Sequence, residues 1–266
     1  MNFALFKSTV KSNWILFVIF LAVLFMYMSI IISMYDPENI EAMALYLETL
    51  PQGMVDAFGY NATATDLVSF IGLYFYGFIV LLFPLIFCIV LTNRLVAALV
   101  DRGSMAYLLA TPNTRIKIIT TQAIFVIIAV SLLLFLNTLA GIAMCEGLFP
   151  GELDIPVYLK LNFATLMLTT AISSISFFFS CIFNESKYAL AFGAGLPILF
   201  FVINMVRNIG SNSEWLKYLT IYTLYDPQQI LSGEQSVLMI SLVFGVITLV
   251  LYTGGIVIFS RRNLYL

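Results

Sequence analysis

The segment VDRGSMAYLLATPNTRIK, Val100 to Lys117, lies between two long hydrophobic runs and gathers charge in a chain that has little of it. Of the 266 residues, 62% are hydrophobic and 10% are charged, whereas a soluble domain averages about 25% charged residues. These charges are too few to cover a water-facing surface. The composition therefore predicts an all-α membrane protein in which this segment is one of the few parts that face water.

Runs without any charged residue predict where the chain crosses the bilayer. A helix needs about 17–25 residues to cross the hydrocarbon core, and the chain offers six such runs, so we expect six transmembrane helices. The fifth is the shortest and carries Gly193, Gly195 and Pro197, which interrupt helices. The six runs are 12–35, 67–93, 118–145, 161–184, 188–206 and 235–260.

The basic residues predict the orientation, because cytoplasmic loops carry an excess of Lys and Arg. With the N-terminus in the cytoplasm, nine of the 12 basic residues lie inside. Only Lys160, Arg207 and Lys217 lie outside. Twelve of the 14 acidic residues lie outside as well. Six spans then leave both termini in the cytoplasm.

Several kinds of chemistry lack their residues in this chain. It contains no histidine, which excludes Ser-His catalysis and the HExxH zinc helix, and we predict neither a catalytic nor a metal site. No phosphate-binding GxxxxGK[ST] loop is present, so ATP would have to be hydrolysed by another polypeptide. No basic patch with interleaved aromatic residues predicts nucleic-acid binding. The three cysteines, Cys88, Cys145 and Cys181, are expected to pack as small apolar residues.

The segments between the predicted spans have distinct characters. Residues 1–12 place Phe3, Phe6 and Val10 on one helical face, which predicts a short helix on the inner leaflet. In the opening segment, near-helical spacing continues past Arg94, Gly103-Ser104 interrupts it and Pro112-Asn113 turns the chain, so we expect a short helix that leaves the membrane before the chain re-enters. Thr114 suits the N-cap of the third span. A short, charged internal loop, NESK, covers residues 184–187. Residues 207–234 are rich in Tyr and Leu and predict short re-entrant helices on the outer side, before the last span.

Small polar residues recur on one face of the fourth span, at steps of three and four. Two interpretations remain open. Such residues let membrane helices pack closely, or they line an uncharged path, which would suit amphipathic or apolar cargo better than simple ions. The candidate path residues are Asn162, Thr165, Thr169, Ser173 and Ser176, with Asn137, Ser69 and Tyr76 on neighbouring spans.

Two stretches resemble a known family. The pattern R-G-[ST]-x-x-x-L-L-x-[ST]-P-x-[ST]-R between the second and third of six spans is similar to that of type-2 ABC exporter permeases. The chain matches it from Arg102 to Arg115, with Asp101 standing where acidic residues commonly precede the glycine. The stretch YDPQQILSG, Tyr225 to Gly233, resembles the family's segment before its last span.

The resemblance implies a single permease domain over residues 1–266, without a nucleotide-binding domain. It also implies a homodimer or a pair of permeases in the plasma membrane of a bacterium. Two cytoplasmic ATPase subunits would hold ATP and Mg. The loop after the second span would be the coupling helix that fits into the ATPase. The residues assigned to this coupling are Asp101, Arg102, Gly103, Ser104, Tyr107, Leu108, Leu109, Pro112 and Arg115, with Glu185 and Lys187 from the second internal loop. We expect Leu108 and Leu109 to be exposed for this contact.

The predicted function is therefore transport rather than catalysis. The chain would be the membrane subunit of an ATP-driven exporter of amphipathic peptides, such as a peptide toxin, a bacteriocin or an antimicrobial peptide, or of hydrophobic drugs. One alternative is a membrane anchor or sensor that recruits a cytoplasmic partner without transport. Another is an ion-coupled transporter, although no predicted span carries Asp or Glu, the residues that such transporters commonly use.

Overall fold

The computed structural model describes residues 2–37, 49–60, 64, 66–110, 113–209 and 214–262. Within these ranges the chain is helical and contains no strand. Six helical stretches are long and apolar enough to cross a membrane, which confirms the predicted fold class. The α-helices are α1 (Phe3–Ser33), α2 (Gln52–Phe58), α3 (Leu67–Ile71), α4 (Val80–Leu95), α5 (Ala97–Asp101), α6 (Ser104–Leu109), α7 (Arg115–Leu148), α8 (Ile155–Ile182), α9 (Ser186–Gly193), α10 (Gly195–Ile209), α11 (Pro227–Leu231) and α12 (Val237–Arg261).

The first span begins earlier than the sequence predicted. α1 runs without a break from Phe3 to Ser33, so no separate interfacial helix precedes it. Its 31 residues extend about 46 Å at 1.5 Å per residue, compared with a hydrocarbon core of about 30 Å. Its first turns carry Lys7 and Lys11, so we expect these turns to extend beyond the hydrocarbon, because charged side chains are costly inside it. The Asn2 side chain caps them by accepting a hydrogen bond from the Leu5 amide at 3.1 Å.

The second and fifth spans are both irregular. In the second, a π-helix over Gly72–Ile79 separates α3 from α4, and π-helical turns are frequent at functional sites. In the fifth, α9 ends at Gly193 and α10 begins at Gly195. This break lies where the sequence predicted a weakness.

α8 lies at the centre of the molecule. It packs against α12, α4, α9 and α7, and 17 of its 28 residues are buried. Two short 3₁₀-helices, Glu214–Tyr218 and Ile221–Leu224, precede α11 and the last span. They agree with the predicted short helices, while their entry into the outer leaflet stays a prediction.

Candidate functional sites

A glycine in a left-handed conformation joins α5 to α6. Gly103 has φ +69°, a region that costs a side-chain-bearing residue about 1–2 kcal/mol. This explains why a glycine suits this position of the opening segment: it lets the chain turn sharply between two short helices. α6 then occupies the position at which the sequence predicted a short helix after the second span.

The side chains of α6 divide into an inner and an outer set. Met105 is fully buried, and Leu108 and Leu109 pack half-buried against the core. The expected exposure of both leucines is therefore not observed, because α6 folds back onto its own chain. Tyr107 is 81% exposed. The aromatic ring, rather than the leucine pair, is thus the apolar group that α6 presents outwards.

The second internal loop lies at the end of the helices where α4 leads into α5 and α6. The Ser186 hydroxyl donates a hydrogen bond to Asn93 Oδ1 at 2.9 Å. The Lys187 ammonium forms a salt bridge with Glu185 at 2.7 Å, and it also interacts electrostatically with the Asp101 carboxylate. Two candidate coupling segments that are far apart in the sequence therefore form one charged surface beside the end of α5.

The other residues of the opening segment, including the remaining coupling candidates, are placed differently. Thr114 caps α7 by accepting a hydrogen bond from the Lys117 amide at 3.2 Å, which confirms the predicted N-cap. Arg115 donates from Nη1 to the Arg262 carbonyl at 2.9 Å, so it ties α7 to the end of α12. Arg102 is exposed and Ser104 is half-buried. Pro112 lies outside the described residues.

Asn162 is the centre of a buried polar cluster that connects three spans. Its Oδ1 accepts hydrogen bonds from the Tyr76 hydroxyl at 2.7 Å and from the Thr138 hydroxyl at 2.6 Å. Its Nδ2 donates to the Tyr158 carbonyl at 2.9 Å, and the hydroxyls of Tyr76 and Tyr158 lie 3.2 Å apart. Tyr76 belongs to the π-helix. This cluster joins α7, α8 and the second span inside one chain.

Two further residues of the α8 stripe pair with tyrosines. The hydroxyls of Thr165 and Tyr225 lie 2.8 Å apart, and those of Ser173 and Tyr252 lie 2.9 Å apart. Thr169, in contrast, donates only within its own helix, to the Thr165 carbonyl at 2.8 Å. The stripe thereby holds α8 to the segment before α11 and to α12.

Ser176 compensates the break in the fifth span. Pro197 has no backbone N–H, so the carbonyl four residues earlier loses its helical donor. That carbonyl belongs to Gly193, and it accepts a hydrogen bond from the Ser176 hydroxyl at 2.7 Å. A Cβ at Gly193 would approach the Ser176 carbonyl to 3.2 Å. The glycine therefore lets α9 approach α8 closely.

The stretch Tyr225 to Gly233 forms a capped turn. The Asp226 carboxylate accepts hydrogen bonds from the backbone amides of Gln228 and Gln229 at 3.0 and 3.3 Å. Pro227 occupies the first helical position, where its missing N–H costs nothing. Gly233 has φ +78° and ends the turn. This local structure places Tyr225 against Thr165 of α8.

The structure also separates residues that the sequence grouped. Ser69 lies at the start of α3 and donates through its backbone amide to Asp66, away from the Asn162 cluster. Asn137 is buried but its Oδ1 has no partner among the described residues, whereas its neighbour Thr138 joins the cluster. Tyr158 was missed, although its position four residues before Asn162 puts it on the same helical face.

Comparison with known proteins agrees with this architecture. Residues 6–264 match the family described as ABC-2 family transporter protein. Neither the curated proteins nor the solved structures returned a match. The match extends over nearly the whole chain and reaches into all six membrane-crossing stretches. The chain therefore belongs to the ABC-2 transporter family, as a membrane-spanning permease subunit whose ATPase is a separate polypeptide.

Proposed function

We propose that the chain is the permease of an ATP-driven exporter that moves amphipathic peptides or hydrophobic drugs out of a bacterial cell. Its 266 residues would form one permease domain in the plasma membrane, with both termini in the cytoplasm. It would pair with a second copy or with another permease. ATP and Mg would bind to the ATPase subunits.

The exposed ring of Tyr107 supports the position of the ATPase contact. An aromatic side chain that is 81% exposed on a six-residue helix offers apolar area at low conformational cost, and aromatic residues are enriched at interfaces. Asp101, six residues before Tyr107, lies close to Lys187 and its partner Glu185, so charge of both signs lies at the start of the same segment. We therefore assign the docking surface to Asp101, Tyr107, Glu185 and Lys187, with Arg102 at its edge.

Leu108, Leu109 and Arg115 have a different role in this proposal. The leucines attach α6 to the core, and Arg115 attaches α7 to the end of α12. The docking segment, residues 101–115, is therefore attached at both ends to transmembrane helices. A displacement of Tyr107 by the ATPase would be passed on to the second, third and sixth spans.

The character of the spans supports the class of cargo. The polar groups inside the bundle are hydroxyls, phenols and amides, and the α8 stripe carries no charged residue. Among the described residues, the buried polar side chains therefore do not provide the fixed charges with which many channels select simple ions. For the stripe itself we propose the packing role, because Asn162, Thr165 and Ser173 already pair with tyrosines of other elements.

Replacing Tyr107 tests the proposed function. We expect Tyr107→Asp to release the ATPase during purification, because the substitution removes the apolar contact and adds a charge. ATP-dependent uptake of a fluorescent cationic amphipathic peptide into inside-out vesicles should be lost with it. The control is Tyr218→Asp, since Tyr218 is also 81% exposed but lies on the predicted outer side. Retention of stoichiometric ATPase by Tyr107→Asp would overturn the docking surface, and unchanged peptide uptake would overturn the proposed coupling.

A further inference from the structure

A cavity of about 490 Å³ opens between α1, the end of α4 and the docking segment. Small-molecule sites in proteins occupy about 300–1,000 Å³, so the volume suits a ligand. Two arginines, Arg94 and Arg102, line it, and no carboxylate does among the described residues. Neither guanidinium forms a salt bridge in the part of the chain that the structure describes. The cavity is therefore electropositive without an internal counter-charge.

One buried amide oxygen in the wall of the cavity lacks a hydrogen-bond partner among the described residues. Gln122 is 1% exposed, and its Oε1 accepts no hydrogen bond from any described residue. An unpartnered buried polar atom costs about 1–3 kcal/mol. An amide turned by half a rotation presents either its carbonyl to a hydroxyl or its N–H₂ to a phosphate oxygen. The hydroxyls of Ser8, Ser12 and Ser104 also line the cavity.

The position of the cavity indicates where such a ligand comes from. It borders the first turns of α1, from Leu5 to Asn13, where Lys7 and Lys11 indicate that the helix lies at the level of the headgroups. Leu95, Leu99 and Leu108 form the apolar part of its lining. Arginines, hydroxyls and an amide next to leucines, at the depth of the headgroups, match a phosphodiester that continues into acyl chains.

We infer that this cavity binds the headgroup of an anionic phospholipid from the leaflet on the docking side, with a phosphodiester at Arg94 and Arg102 and a headgroup hydroxyl at Gln122. Phosphatidylglycerol has this chemistry. A bound headgroup would connect α1 to α6 and so hold the docking segment in place. Lipid binding at this site does not depend on which cargo the transporter carries.

Thermal unfolding of the complete permease–ATPase complex in detergent tests the inference. Short-chain phosphatidylglycerol should raise the melting temperature more than short-chain phosphatidylcholine, glycerol 3-phosphate or inorganic phosphate. We expect Arg94→Gln to weaken the response about tenfold in lipid concentration, which corresponds to about 1.4 kcal/mol, because the substitution removes a charge-assisted hydrogen bond. Arg261→Gln is the control, because both arginines stand in the last turn of a span but Arg261 does not line the cavity.

Gln122→Leu should affect the stability of the lipid-free complex and the response to lipid in opposite ways. It removes an unpartnered buried polar atom, so the lipid-free complex should be as stable as the parent or more stable, while the response to phosphatidylglycerol falls. An equal response to phosphatidylcholine would overturn the inference, as would an equal response to glycerol 3-phosphate, which would indicate a soluble ligand. Release of the ATPase by Arg94→Gln with an unchanged lipid response would assign the cavity to the partner protein instead. Unaltered lipid responses in both variants would also overturn the inference.

Discussion

Helices α8 and α12 pack against each other, yet their surroundings differ. α8 buries 17 of 28 residues, and eight of the buried residues are Asn, Ser or Thr. α12 buries five of 25, and Tyr252 is the one among these five with a polar side chain. The more polar helix is therefore the more buried one. In a bilayer, lipid covers apolar surface as well as protein does, so polar groups rather than apolar area determine which helix lies inside.

The hydroxyls of the two helices differ in their partners as well. On α8, Asn162, Thr165 and Ser173 bond to other elements. On α12, Ser241 Oγ and Thr248 Oγ1 are buried and have no partner among the described residues. A similar small-and-polar pattern in two spans thus has different physical consequences, which matched substitutions in the two helices can measure.

The largest effect is expected at the centre of the α8 cluster. Asn162→Ala would remove the acceptor shared by Tyr76 and Thr138, although the Thr138 hydroxyl could still donate to the Leu134 carbonyl at 2.8 Å and the Tyr76 hydroxyl to that of Tyr158 at 3.2 Å. The loss of two bonds to other spans, together with the cavity left by the side chain, should lower the free energy of unfolding by about 2 to 4 kcal/mol. Circular dichroism during unfolding in detergent measures it. Thr248→Val on α12 removes a hydroxyl that has no partner, and it should leave stability unchanged or slightly higher. Equal losses in the two variants would remove the distinction between the helices.

A second comparison uses larger side chains and also decides between packing and path. Ser173 and Thr169 are 0% and 2% exposed, so Ser173→Leu and Thr169→Leu should each cost about 1–3 kcal/mol through overpacking. Folding yield and peptide transport should fall together. Gly245→Leu on α12 is the control, because a Cβ there meets no atom within 4 Å. Transport that falls while assembly with the ATPase is retained would favour the path interpretation of the stripe instead.

The smallest effect concerns the bond that joins the two helices. Tyr252→Phe removes the hydroxyl that lies 2.9 Å from the Ser173 hydroxyl. Such interhelical bonds contribute about 0.6 kcal/mol on average. A double-mutant cycle with Ser173→Ala should return a coupling energy of that order. Thr253→Val should show no coupling to Ser173→Ala, since the Thr253 hydroxyl bonds to the Leu249 carbonyl of its own helix. A coupling of zero for Tyr252 would mean that the contact adds nothing to helix association.

Local features of the chain were predictable from the sequence. The charge-free runs predicted six spans, Thr114 was predicted as an N-cap, and Gly193, Gly195 and Pro197 marked the weakness at which the fifth span breaks. Each of these depends on a few neighbouring residues, on bilayer thickness or on the missing N–H of proline. The pattern around Gly103 likewise predicted a short helix, because the left-handed turn is a local property.

Other features depended on which elements lie opposite each other. Spacing placed Asn162 and Ser176 on one face of α8. It did not reveal that Tyr76 and Thr138 donate hydrogen bonds to Asn162, nor that Ser176 donates to the Gly193 carbonyl. The partial burial of Leu108 and Leu109 follows from α6 folding back onto the core, which spacing along the segment does not specify. The sequence by itself determined that this is a six-span, all-helical permease with a charged segment after the second span. Only the tertiary structure decided which polar groups are paired inside and which ring faces outwards, because helix association in a membrane follows hydrogen bonds and close packing between distant segments.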